Sequence, residues 1–142
     1  MSSCSGGDKL KTQESAENYL ETILVLSRRG NNVRSIDIVN ELEYTKPSVS
    51  VAMKNLRANG HIIMDSNGYI TLTDSGRKIA ETMYERHTII SELFITLGVD
   101  KETAISDACK IEHAISDKSF AVIKKHLIKY KKHIKKISKN NV

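Results

Sequence analysis

One proline and seven glycines punctuate this 142-residue chain, and their placement limits its fold more than any other feature. From about Gln13 to Arg29, Ala16, Tyr19, Leu20, Ile23 and Leu26 follow the spacing of one helix face, and Gly30 ends the run. Ser35 is placed to cap a short helix carrying Ile36, Val39 and Leu42. After a short connection Pro47 stands in the first turn of the next helix, where its missing N–H is harmless. That helix turns Val49, Met53 and Leu56 inward and stops at Gly60. Two short β-branched runs follow, His61–Met64 and Tyr69–Leu72, joined by Asp65-Ser66-Asn67-Gly68. Asn-Gly between such runs is a strong hairpin signal. After Thr73-Asp74 a long helix runs to Leu97 and ends at Gly98, residues 101–115 form another, and Ser116 or Asp117 caps the last. Gly6 and Gly7 fall in a small polar segment, and residues 1–12 are expected to form a disordered tail.

Helix, helix, tight turn, helix and hairpin is the order of a winged helix-turn-helix. The expected fold is therefore mostly α with a small β-hairpin wing. It comprises an N-terminal winged helix-turn-helix domain over 13–73 and a C-terminal helical domain over 74–142. With its apolar residues inward, the helix that starts at Lys46 leaves Ser48, Ser50, Lys54 and Arg57 outward. Small hydroxyls near a helix start allow close approach to base edges, and cations reach phosphates that set register without reading sequence. Lys46, Pro47, Ser48, Ser50, Lys54 and Arg57, with Arg34 and Ser35 from the preceding helix start, are the candidate contacts to double-stranded DNA. From Tyr44 to Gly60 there is no acid to repel a phosphate backbone. A generic helical core with a surface hairpin, or a helix-turn-helix that contacts another protein, fits the same pattern.

The formal charge of +5, from 22 Lys+Arg against 17 Asp+Glu, is distributed unevenly. Eight lysines and no acid lie between Phe120 and Val142, so the remainder is slightly acidic and the basic balance belongs to the last helix. That run fits a polyanion partner or a solvated helix face. No apolar run approaches the roughly 18 residues needed to span a bilayer. The first residues lack the basic start and apolar core of a signal peptide. Two cysteines, Cys4 and Cys109, make no disulfide framework. The expectation is a cytoplasmic protein without a membrane partner.

In the second half, polar groups interrupt apolar seams. Met83, His87, Ile90, Phe94 and Leu97 share one stripe of the long helix, so His87 lies inside it. On the next helix Ile105, Ala108 and Ile115 form a seam that Glu112 interrupts. A carboxylate removed from water without a partner costs several kcal/mol or changes protonation. Cys109, Glu112 and His113 stand at i, i+3 and i+4 on one face, and thiolate, carboxylate and imidazole are common transition-metal ligands. His87, and Glu21 with Asn18 from the first helix, could join them, giving six donors from three segments. Each residue taken singly also has an ordinary reading: a satisfied core histidine, a helix-face ion pair, a small buried thiol.

The winged helix followed by Arg86-His87, then Gly98-Val99-Asp100, then Cys109-x-x-Glu112-His113, resembles the diphtheria toxin repressor family over roughly Ser15 to Phe120. The resemblance implies a dimeric, metal-activated transcriptional repressor of iron or manganese uptake. It is nearest the short manganese-responsive branch, for a chain ending at Val142 has no room for the SH3-like domain of the iron branch. It also implies that His87, Glu112 and His113 are ligands and that Glu21 occupies a first-helix carboxylate position. Cys109 stands where the manganese branch has Glu and the iron branch has Cys. Asn18 stands where those branches have Asp and Met. Ser91 and Ile105 lack the acid and histidine that the iron branch's second site would want. Fe²⁺ or Mn²⁺ is the family expectation for one principal site, while the Cys109 thiolate also admits Zn²⁺, Co²⁺ or Ni²⁺.

Operators with two half-sites about one helical turn (~34 Å) or a multiple apart call for a two-fold dimer. Phe120, Ile123, Leu127, Tyr130, Ile134 and Ile137 form an amphipathic stripe that supplies packing and dimer surface. Metal would act as co-repressor by favouring the binding-competent dimer by a few kcal/mol. No catalysis is required, and the chain is expected not to be an enzyme. The alternative is a winged-helix regulator that responds to a small molecule or protein, with His87 and Glu112 merely paired. A metallohydrolase lacks a His-Glu-x-x-His pattern here, and a lysine-rich adaptor or membrane-surface helix leaves the winged half unexplained.

Overall fold

The computed structural model describes the backbone of residues 5–140 and the side chains of residues 13–140. In chain order these form α1 (Ser5–Arg28), α2 (Ser35–Leu42), α3 (Lys46–Ala58), β1 (Ile62–Met64), β2 (Ile70–Leu72), α4 (Asp74–Thr96), α5 (Lys101–Ile111) and α6 (Asp117–Asn140). Residues 5–12, expected in a disordered tail, are instead helical backbone continuous with α1; no proline interrupts that stretch. The expected tail at residues 1–4 lies outside the described residues. Two compact units result, Met1–Tyr84 and Glu85–Val142, which meet inside α4.

In the first unit, α1, α2, α3 and the hairpin close over one apolar core that includes Leu20, Ile23, Ile38, Val49, Met53, Leu56, Ile62 and Ile70. Val49, Met53 and Leu56 are buried as their helical spacing requires. On α2 the inward residue is Ile38, fully buried, whereas Ile36 is exposed; only the former shares a face with Leu42 at i+4. Ser35 is not the cap of α2 but its first residue. The capping position belongs to Arg34, whose backbone N–H donates to the Asp37 carboxylate at 2.8 Å.

Thr45 caps α3, its Oγ1 accepting from the Ser48 N–H at 3.3 Å, and Pro47 lies in the first turn. At the other end the His61 N–H donates to the Leu56 carbonyl at 2.9 Å and the Gly60 N–H to the Arg57 carbonyl at 3.0 Å. This pattern needs the left-handed φ of +76° at Gly60. β1 and β2 pair antiparallel, Ile63 opposite Thr71. Their turn is closed by Gly68 N–H to the Asp65 carbonyl at 3.0 Å, with Gly68 left-handed at φ +80°. It is thus a type-I-like turn followed by a glycine, not a two-residue loop. The Asp65 carboxylate stiffens it by accepting from the N–H groups of Asn67 and Tyr69, each at 2.9 Å. Val33 adds a single bridge to Ile70 on the inner edge.

The second unit is built from the later part of α4 with α5 and α6. Asp100 caps α5 through Thr103, at 2.9 Å. Ser116, one of the two expected caps of α6, accepts from the Ser119 N–H at 3.2 Å. α5 ends at Ile111, short of the expected 115, and Glu112 is its C-cap, still in right-handed helical geometry. Residues 112–115 therefore form a turn in which the Ala114 and Ile115 N–H groups both donate to the Ile111 carbonyl. Two positions assigned to apolar seams face solvent instead: Leu97 and Ile105 are exposed. No helix among the described residues is long and apolar enough to cross a membrane.

Candidate metal centre and nucleic-acid face

The turn that ends α5 places Glu112 where α4 can reach it. Because residue 112 keeps helical geometry, Cys109, Glu112 and His113 retain their common face although the helix has formally ended. Glu112 has no solvent exposure at all. Its Oε2 lies 2.8 Å from Nδ1 of His87 on α4, and its Oε1 lies 3.3 Å from Nε2 of His113. One carboxylate is thus flanked by two imidazoles. The exposed Cys109 completes a cluster in which a ligand atom each of His87, Cys109 and Glu112 lies within 4.8 Å of the others.

The donor chemistry fits a transition ion. Ligands at about 2.0–2.3 Å from a common ion stand a few ångströms apart, and nitrogen, thiolate and carboxylate together suit a borderline-soft divalent cation. Without an ion the same carboxylate is held by its imidazole neighbours. Glu21 and Asn18 stand about one turn apart on α1, in the first unit; Glu21 is buried and Asn18 half-buried.

Arg86, the residue before His87, has a part that sequence reasoning missed. Its buried guanidinium donates to the backbone carbonyls of Glu112 at 3.0 Å and Ile115 at 2.6 Å, and pairs with the Asp117 carboxylate. It also lies over the Phe120 ring, 5.5 Å from the centroid. The end of a helix leaves carbonyls without intrahelical partners, and here one side chain satisfies the C-cap carbonyl of Glu112 together with the Ile115 carbonyl of the following turn, fixing where the Glu112 backbone sits. The signal was present in the sequence: Arg86 falls three residues after Met83 and four before Ile90, inside the same stripe that His87 interrupts.

On the first unit, Lys46, Pro47, Ser48, Ser50, Lys54 and Arg57 of α3 are all exposed. Val51 and Asn55, unassigned by the sequence reading, share this outward face, and Val51 is 58% exposed. An apolar side chain left in water on a helix otherwise built to the rule has no packing reason. Arg34 stacks over the Tyr69 ring of the hairpin at 4.5 Å, joining the start of α2 to the wing, whereas Ser35 is half-buried.

These two features, a helix-turn-helix with a wing and a His, Cys and Glu cluster at a helix end, define a class, and comparison with known proteins places the chain in it. Residues 11–70 match the iron dependent repressor N-terminal DNA binding domain, and residues 73–138 match the iron dependent repressor metal binding and dimerisation domain. An HTH-type transcriptional regulator of Methanocaldococcus jannaschii is 30% identical over 120 residues, covering 83% of this chain and 96% of the relative. The transcriptional regulator MntR of Escherichia coli O157:H7 is 33% identical over 107 residues, covering 75% of this chain and 69% of MntR. Among solved structures, a manganese-dependent transcriptional repressor in complex with manganese superposes with a TM-score of 0.74 at 27% identity, over 79% of this chain. The chain spans 52% of that structure, about half its length. The chain belongs to the iron-dependent repressor family, the diphtheria toxin repressor family that the motif order resembles.

Proposed function

We propose that this chain is a metal-dependent, DNA-binding transcriptional regulator, a cytoplasmic repressor of iron or manganese uptake genes that acts as a homodimer on a duplex operator. The observation that carries the reading is the fully buried Glu112 carboxylate set between His87 and His113, with Cys109 in reach. His87, Cys109, Glu112 and His113 are the proposed ligands of the second unit. Glu21 and Asn18 are further donors by residue type and by the family resemblance. A divalent cation bound there supplies positive charge that neutralises the acidic donors and favours the DNA-competent dimer.

The chain's own residues do the rest. Arg86 holds the Glu112 and Ile115 carbonyls, so the Glu112 carboxylate is presented from a fixed backbone. His87 orients that carboxylate by a hydrogen bond at 2.8 Å. Cys109 biases the ion choice towards Fe²⁺, Co²⁺, Ni²⁺ or Zn²⁺ relative to an all-oxygen-and-nitrogen set. On α3, Lys46, Lys54 and Arg57 engage phosphates, while Pro47, Ser48 and Ser50 approach base edges, with Arg34 and Ser35 at the neighbouring helix start. Nothing in this scheme requires bond chemistry, and the relatives named above are regulators rather than enzymes.

The test is a gel-shift titration on the DNA upstream of the protein's own gene, with Mn²⁺, Fe²⁺, Zn²⁺ and chelator compared. Operator affinity should rise by at least about tenfold with one of these ions, equivalent to about 1.4 kcal/mol. Glu112→Gln should abolish the response. Affinity indifferent to every ion and to chelator rejects metal control and favours a small-molecule or protein signal.

A further inference from the structure

We propose that the solvent-facing side of α6 is a second, sequence-independent contact to the phosphate backbone of duplex DNA. Six lysines of this helix, Lys118, Lys125, Lys129, Lys132, Lys136 and Lys139, recur at spacings of seven, four, three, four and three. At 3.6 residues per turn all six fall within about 40° of one line along the helix, over about 30 Å. Every one is exposed, and the only acid in α6 is Asp117, which Arg86 engages. The lysine density, about one per 6 Å, is of the order of the phosphate density of one DNA strand, about one charge per 3.4 Å of axis.

Two other lysines show what a structural role looks like here. Lys124 pairs with Glu85 and Lys131 with Glu92 of α4, both pairs spaced seven residues apart on both helices. These charges are met within the unit and tie α6 to α4. The six-lysine line has no acid of its own helix beside it. A charge line of this length, with no packing duty, is a surface for a polyanion.

Duplex DNA fits better than a lipid surface. A membrane-surface helix must lay its apolar face into lipid. In α6 the first half of that face is already occupied: Leu127 is 1% exposed and Phe120 lies under the Arg86 guanidinium. The lysine line lies on the side of α6 opposite the stripe of Leu127, Tyr130, Ile134 and Ile137, and the exposed Val122 and Ile128 flank it. The inference rests on the duplex-binding reading above, and it adds salt-dependent affinity without sequence selectivity.

The experiment uses the full chain and a random-sequence duplex, with binding followed by fluorescence anisotropy from about 50 to 200 mM salt. Changing Lys125, Lys129, Lys132 and Lys136 together to Gln should lower the log–log salt slope by about 3 to 4, at about 0.9 per phosphate contact. The helical circular dichroism should be retained. K124Q/K131Q should change the slope by less than about 1. An unchanged slope in the four-lysine variant overturns the proposal. An equal loss per lysine in K124Q/K131Q also overturns it, for that is a net-charge effect. So does a variant that loses binding only to phosphatidylserine–phosphatidylcholine vesicles and keeps its duplex slope. Lys54→Gln with Arg57→Gln separates the two readings. If α3 is not the operator reader, that pair leaves specific affinity unchanged whatever the α6 lysines do.

Discussion

Arg86 shows how one buried cation can prepare a site without entering it. Its guanidinium spans the end of α5 and the start of α6, and its fork geometry is what allows two carbonyls and a carboxylate to be reached together. A lysine in its place presents a single point charge. Arg86→Lys should therefore leave at least one buried carbonyl unsatisfied and destabilise the fold by about 2 kcal/mol. Thermal unfolding of the metal-free protein checks this, and an unchanged midpoint would show that water replaces the lost donors. The neighbouring pair, His87 and Glu112, is where residue chemistry and fold meet. A carboxylate with no exposure persists only because partners surround it, and the same arrangement is a set of donors for an ion.

At the scale of elements, two helix starts carry sharp expectations. Gly76, in the first turn of α4, faces the backbone of His61, and a Cβ there would meet the His61 carbonyl oxygen at 2.0 Å. The same junction is tied by Thr73, whose N–H donates to that carbonyl at 3.1 Å and whose Oγ1 donates to the Gly60 carbonyl at 2.7 Å. Gly76→Ala cannot be absorbed by a flexible side chain, so it should cost about 1–3 kcal/mol, read by denaturant unfolding. A midpoint equal to the parent's would show that α4 can shift from the hairpin. At α5, hydrogen bonds from Thr103, its backbone N–H first, hold the Asp100 carboxyl below its ordinary range. Its folded pKa is depressed, so the stabilisation is present above the unfolded value of about 3.9 and is lost as pH falls through the lowered folded value. Asp100→Asn keeps a capping oxygen but removes this titration. The variant's unfolding midpoint should depend less steeply on pH below about 4 than the parent's.

For the whole molecule, the apolar stripe of α6 is informative because it is only half used. Leu127 is buried, yet Tyr130, Ile134 and Ile137 on the same stripe are 42%, 46% and 48% exposed. A second copy of the chain is the proposed cover, as operators with two half-sites demand. Ile134→Glu should convert the dimer to a monomer in light scattering and reduce operator affinity, while the circular dichroism stays helical. A variant that remains dimeric places the interface elsewhere.

Much of this protein was settled by local sequence alone. Pro47 and Thr45 open α3, Gly60 and Gly98 end helices by accepting left-handed φ, and Asp65 to Gly68 forces the hairpin. These are interactions within a few residues, and periodicity needs no partner to be legible. The spacing also put Cys109, Glu112 and His113 on one face, and the motif order carried the family resemblance. Which of two neighbouring isoleucines enters the core was decided by tertiary packing, which took Ile38 and left Ile36 outside. The same holds for Leu97 and Ile105, which the periodicity places in apolar stripes and the packing within the chain leaves exposed. Only the assembled fold could bring His87 to 2.8 Å from Glu112 across 25 residues, or turn Arg86 onto the carbonyls beneath them. Burial and long-range polar contact depend on what lies opposite, and a single strand of sequence does not contain the opposite face.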